Sequence, residues 1–121
     1  MLIPTEPIGS IPRPPNLVRA FLDRQAGRIS DEAFEHVAEA AVRDTLERFE
    51  KTGSTVISDG EQTKSSFATY PLEGLSNLAS DGVVIPFADG HTRQLPRLTA
   101  GPFRYGGYAD RYVNRAKALT A

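Results

Sequence analysis

At residues 55–62 the chain runs Thr55-Val56-Ile57-Ser58-Asp59-Gly60-Glu61-Gln62, a β-branched run followed at once by a glycine between two acids. β-Branched side chains suit extended backbone, so residues 55–58 are expected to form a short buried strand. Its C-terminal end would then deliver Asp59 and Glu61, and Lys64 is near enough to pair with either. Carboxylates beside a flexible glycine act as bases, metal ligands or clamps on ammonium groups. A turn with two solvated acids has the same composition, and the stretch by itself leaves both readings open.

Working back toward the N-terminus, Ser30 is a good helix N-cap, and Asp31 and Glu32 complement the positive end of the helix dipole. Phe34, Val37, Ala38, Ala41, Val42, Leu46 and Phe49 fall on one stripe at helical spacing, and Gly53 stands where a C-terminal cap belongs. A shorter helix should open at Pro14-Pro15, carry Leu17, Ala20 and Phe21 on one face, and stop at Gly27. A first strand is expected just before Ile8. Working forward, Val83 to Phe87 and Thr92 to Leu98 flank Asp89-Gly90 and read as a hairpin. Arg97 to Phe103 can continue as a strand, and Tyr108, Tyr112, Val113, Ala116 and Leu119 mark a final helix.

The order is strand, helix, helix, strand, hairpin, strand, helix. That is the opening of an α/β barrel, but a closed (β/α)₈ barrel takes about 250 residues. The fold class expected for residues 1–121 is therefore α/β, the N-terminal portion of a TIM barrel, incomplete in this chain. Unpaired sheet edges would then invite self-association or a complementing chain.

The chain has 14 Lys and Arg against 15 Asp and Glu, a formal net charge of -1 and 40% hydrophobic residues. Nothing in that balance marks a nucleic-acid or membrane partner. The apolar runs are far shorter than the ~20 residues a bilayer requires. The start, from Met1 to Pro7, has neither the basic nor the apolar region of a signal peptide, so a cytoplasmic location is expected. Cysteine is absent, which excludes disulfides, thiolate nucleophiles and thiolate metal ligands within these residues.

The remaining motifs are weaker. Ile8-Gly9-Ser10-Ile11-Pro12-Arg13-Pro14 sets a glycine and a hydroxyl in a proline-rich turn whose backbone N–H groups could hold a carboxylate or phosphate. Ser65, Ser66, Phe67, Thr69 and Tyr70 have the polar and aromatic mix of a small-molecule pocket or of a surface loop. Asp89 and His91 make at most a partial metal site, and a plain turn is the better reading. His36 lies beside Glu35 on the long helix and reads as a surface residue, while Arg93, Arg97 and Arg104 read as solvated arginines.

Taken together, Ile8-Gly9-Ser10-Ile11-Pro12-Arg13-Pro14, Gly27-Arg28-Ile29-Ser30, Ser58-Asp59-Gly60-Glu61-Gln62-Thr63 and Phe87-Ala88-Asp89-Gly90-His91 resemble the cobalamin-independent methionine synthase family, nearest to its single-barrel branch. The resemblance covers essentially the whole chain. It implies a barrel that binds homocysteine, a zinc ion that holds the sulfur as thiolate, and a methyl group supplied by methyltetrahydrofolate. It implies further that Ile8, Gly9 and Ser10 belong to the segment contacting the amino acid, and that Glu61 is the acid holding its ammonium group. A small-molecule thiol is the implied partner.

Two departures matter. The family's zinc ligands, two Cys, a His and a Glu, come from later strands, so no metal ligand and no catalytic residue is assigned here and no methyl transfer is expected of this chain alone. The family's usual His before the Gly-Glu pair is Asp59. Part of a zinc-dependent methyltransferase, an alkyltransferase acting on another small thiol, and a non-catalytic truncated or assembly fragment all remain open.

Overall fold

The computed structural model describes residues 3–66 and 68–120, so Phe67 and the first two residues, named above, lie outside the described residues. Helix α1 spans Pro15–Gln25 and α2 spans Asp31–Lys51. Both form where the apolar spacing and caps require. Pro15 at the first turn of α1 costs no hydrogen bond. The Ser30 hydroxyl accepts the Ala33 N–H at 3.1 Å, satisfying one of the orphan donors at the start of α2. Thr52 caps the far end of α2, and Gly53, at φ 75°, lets the chain turn away.

The two helices pack through their apolar stripes. Leu17 and Ala20 from α1 meet Phe34, Ala38 and Ala41 from α2, with Phe21, Ile29 and Val37 partly buried against them. Phe21 and Phe34 sit edge to face with centroids 4.9 Å apart. Val42, Thr45 and Leu46 extend the buried face of α2. Thr45 is the polar member of that face, and its hydroxyl donates to the Ala41 carbonyl at 3.0 Å. Helix α3, Asp110–Leu119, adds buried Tyr112. It is tied to α2 by an Arg115–Glu35 ion pair and by the Thr120 hydroxyl donating to Glu50 at 2.5 Å.

These elements belong to one compact unit, Met1–Lys64 with Asp110–Ala121, while Ser65–Ala109 forms a second. The second unit holds a 3₁₀ turn at Tyr70–Leu72 and four short strands: β1 Leu78–Ala79, β2 Val84–Pro86, β3 Thr92–Gln94 and β4 Arg97–Leu98. β2 pairs antiparallel with β3, placing Val84 opposite Gln94 and Pro86 opposite Thr92, which is the hairpin expected around Asp89-Gly90. β1 pairs antiparallel with β4, Leu78 opposite Leu98. That pairing joins segments about twenty residues apart, and nothing local in the sequence announced β1. Gly82 sits where the backbone of Leu95 and Pro96 leaves no room for a Cβ.

Among the described residues the architecture is α/β, with three α-helices and two separate two-stranded sheets, and no closed barrel. Two expected strands are corrected. Residues 55–58 form bends and irregular chain, and residues 3–7, just before Ile8, are irregular as well. The segments meet through the Ser54 hydroxyl, which donates to the Thr5 carbonyl at 2.5 Å and not through a backbone ladder. A strand needs a hydrogen-bonded neighbour, and β-branched composition alone cannot supply one. No described helix is long and apolar enough to cross a membrane.

Candidate functional site

Gly60 and Glu61 are consecutive left-handed residues, at φ 64° and 56°. Gly60 adopts this conformation without cost, whereas a Glu there is strained and must be held by its surroundings. Several bonds hold it. The Ser58 hydroxyl accepts the Gly60 N–H at 3.2 Å, and the Asp59 carboxylate accepts the Glu61 N–H at 3.0 Å. The Ile11 N–H reaches the Gly60 carbonyl at 2.9 Å, stitching the N-terminal loop to the turn. A Cβ on Gly60 would lie 2.9 Å from Ile11 Cγ1 and 2.9 Å from Thr45 Cγ2, so the loop closes only over glycine.

Arg13 completes the frame. Its guanidinium donates to the Gln62 carbonyl at 2.8 Å, to the Glu61 carbonyl at 3.4 Å, and to the Lys64 carbonyl. It also lies over the Phe21 ring, 4.9 Å from the centroid. One arginine therefore fastens the turn to the loop and to α1. The motif of residues 8–14 contains it but gave it no role, because its partners are backbone carbonyls some fifty residues away. Asp59, an ambiguous acid in the sequence, serves the turn by accepting a backbone N–H.

The Glu61 side chain points back at the loop. Ser10 Oγ donates to Glu61 Oε2 at 2.5 Å, within the range of a hydroxyl bonded to a carboxylate. Lys64 Nζ stands 3.3 Å from the other oxygen, Oε1. The Ser10 hydrogen bond, helped by the charges of Lys64 and Arg13, holds the Glu61 carboxyl below its ordinary value although burial opposes this. Of the four residues expected to contact an amino acid, the structure joins Ser10 and Glu61 directly. Gly9, at φ 76°, and Ile8, which is 94% exposed, lie next along the loop and face solvent.

Other sequence candidates belong to the second unit. Asp89 pairs with His91 within the hairpin turn, and the imidazole stacks on Phe87 with centroids 4.3 Å apart. Arg97 pairs with Asp81 at 2.9 Å. Among the described residues no three His, Cys, Asp or Glu side chains converge, and the sequence contains no Cys, so the donors present do not fit a zinc centre.

No family model matches the chain. Among curated proteins, the 5-methyltetrahydropteroyltriglutamate–homocysteine methyltransferase of Streptomyces griseus is 32% identical over 123 residues, an alignment covering 99% of this chain and 16% of that protein. The methionine synthase of Sulfurisphaera tokodaii is 32% identical over 93 residues, 77% of this chain and 28% of that protein. This chain is a relative of the methionine synthases. A further methyltransferase of the same name, from Aeromonas salmonicida, is 35% identical over 78 residues, 64% of this chain and 10% of that protein. The chain thus spans well under a third of the length of these three methionine synthase relatives.

Proposed function

We propose that this chain supplies the amino-acid-holding edge of a methionine synthase-like (β/α)₈ barrel whose strands come from other segments. The observation that carries the reading is the 2.5 Å hydrogen bond between Ser10 and Glu61, which joins the two polar side chains that the family resemblance assigned to the substrate. The Glu61 carboxylate takes the ammonium of a homocysteine-like thiol, and Ser10 fixes the carboxylate's rotamer. The open backbone at Gly9 offers N–H donors to the ligand's carboxylate, beside Ile8.

Methyl transfer from a methyltetrahydrofolate, the donor named for the relatives, belongs to the complete barrel. Zinc, implied by the family, does not fit the donors of this chain and no step is assigned to it here. An unactivated thiol with a pKa near ~8.5 is mostly protonated at neutral pH and reacts poorly. The 121-residue chain given methyltetrahydrofolate and homocysteine should therefore form no methionine by itself.

Calorimetric titration with L-homocysteine and with 4-mercaptobutanoate, which lacks the ammonium, tests the reading. Glu61→Gln keeps the shape and removes the charge, so homocysteine should bind about tenfold to a hundredfold more weakly, the loss of one charge-assisted hydrogen bond. The ammonium-free thiol should be indifferent. Equal affinity of both proteins for homocysteine would remove Glu61 from the site.

A further inference from the structure

We infer that Lys64 is a gate on the Glu61 site: its ammonium already pairs with a carboxylate oxygen that an incoming amine uses, so an amine ligand binds in competition with it. The inference rests on the proposed role of Glu61 and adds a competitor built into the same turn.

Glu61 has two oxygens to offer. Ser10 engages Oε2 at 2.5 Å, and Lys64 stands 3.3 Å from Oε1. The hydroxyl is a neutral donor and leaves the negative charge in place. The lysine is chemically the same species as the ligand group, a primary ammonium on an alkyl chain, and it competes for the same oxygen. Its side chain is 18% exposed and that of Glu61 23%, so the pair is sheltered enough to persist and open enough to be exchanged.

The displaced charge has somewhere to go. Lys64 Nζ already lies 5.6 Å from the centroid of the Tyr112 ring, within reach of a cation–π contact, and the lysine stem is flexible. Arg13, the other cation near Glu61, is fastened to backbone carbonyls of the turn. Lys64 is thus the cation whose movement uncovers the carboxylate without dismantling the turn. A bare amine gains one ion pair by losing another, whereas an amino acid that also engages the backbone at Gly9 gains more than it displaces. The gate therefore weakens every amine ligand alike, and an amino acid recovers the loss through the backbone at Gly9.

The test uses the full chain and Lys64→Met, which keeps the length of the side chain and removes the charge. Carbon-detected NMR should show the Glu61 carboxyl titrating at higher pH in Lys64→Met, and L-homocysteine should bind about three- to fivefold more tightly, the effect of a partly exposed ion pair. Binding of 4-mercaptobutanoate should not change. A Glu61 titration that is the same in both chains, or homocysteine binding that weakens in Lys64→Met, overturns the gate. Homocysteine affinity that is equal in wild type and Lys64→Met yet falls in Glu61→Gln removes the gate and leaves the thiol reading. Affinity indifferent to both substitutions, or no binding to any of the chains, removes the thiol reading and the gate with it.

Discussion

Ser10 and Glu61 lie fifty-one positions apart and no periodicity relates them, so their hydrogen bond could not be read from local pattern. Only the family resemblance placed them in one site. The role of Arg13, quoted only as part of the loop motif, was hidden for a similar reason, since a guanidinium that binds backbone carbonyls leaves no signature in its partners' side chains. The Ser10–Glu61 bond has a consequence for acid stability. Glu61 has its folded pKa lowered, chiefly by Ser10, so the stabilisation is present above the unfolded value of about 4.3 and is lost as pH falls through the folded one. Ser10→Ala removes the chief cause and raises the folded pKa. Urea unfolding at pH 7 should show it about 0.5–1.5 kcal/mol less stable than wild type. At a pH below the folded pKa the two curves should coincide, and a difference that persists there would mean the loss is packing and not charge.

Elements whose partners are local or internal were legible; those that depend on a distant partner were not. Helix α2 satisfies its own backbone, and its stripe, its Ser30 cap and its Gly53 turn all appear in the sequence as they do in the fold. The β2–β3 hairpin brings its own partner through a short turn. Residues 55–58 have strand composition but no neighbour to pair with, and Leu78–Ala79 became a strand only because Arg97–Leu98 reached it. Composition states a preference and pairing settles it. For α2 the two sources of stability are separable. Ser30→Ala should cost about 1 kcal/mol through the lost cap, and Leu46→Ala, at a side chain 1% exposed, about 2–5 kcal/mol through the cavity. Thermal denaturation followed by circular dichroism at 222 nm ranks them, and an equal loss would mean that Leu46 is less well packed than its burial indicates.

At the scale of the whole molecule, burial is unevenly shared. Every described residue that is fully buried belongs to the unit built from α1, α2, α3 and the Gly60 turn, and none lies in Ser65–Ala109. A region held by two two-stranded sheets, with no buried side chain among its described residues, has little to resist local opening. Hydrogen exchange should therefore find the amides of Val42 and Leu46 slow and those of Ile85 and Arg93 fast, and limited proteolysis should cut within residues 65–109 before it touches α2. Comparable protection in the two regions would show that the strands are supported by more than their own ladders. The first unit is also discontinuous, because the chain leaves it at Lys64 and returns at Asp110. During synthesis this imposes an order of events: α1 and α2 can pair as soon as they leave the ribosome, but Tyr112, Arg115 and Thr120 arrive only after the whole of Ser65–Ala109 has been made. Until then the face of α2 that carries Glu35 and Glu50 is bare, and the nascent chain waits with its helical hairpin closed on one side only.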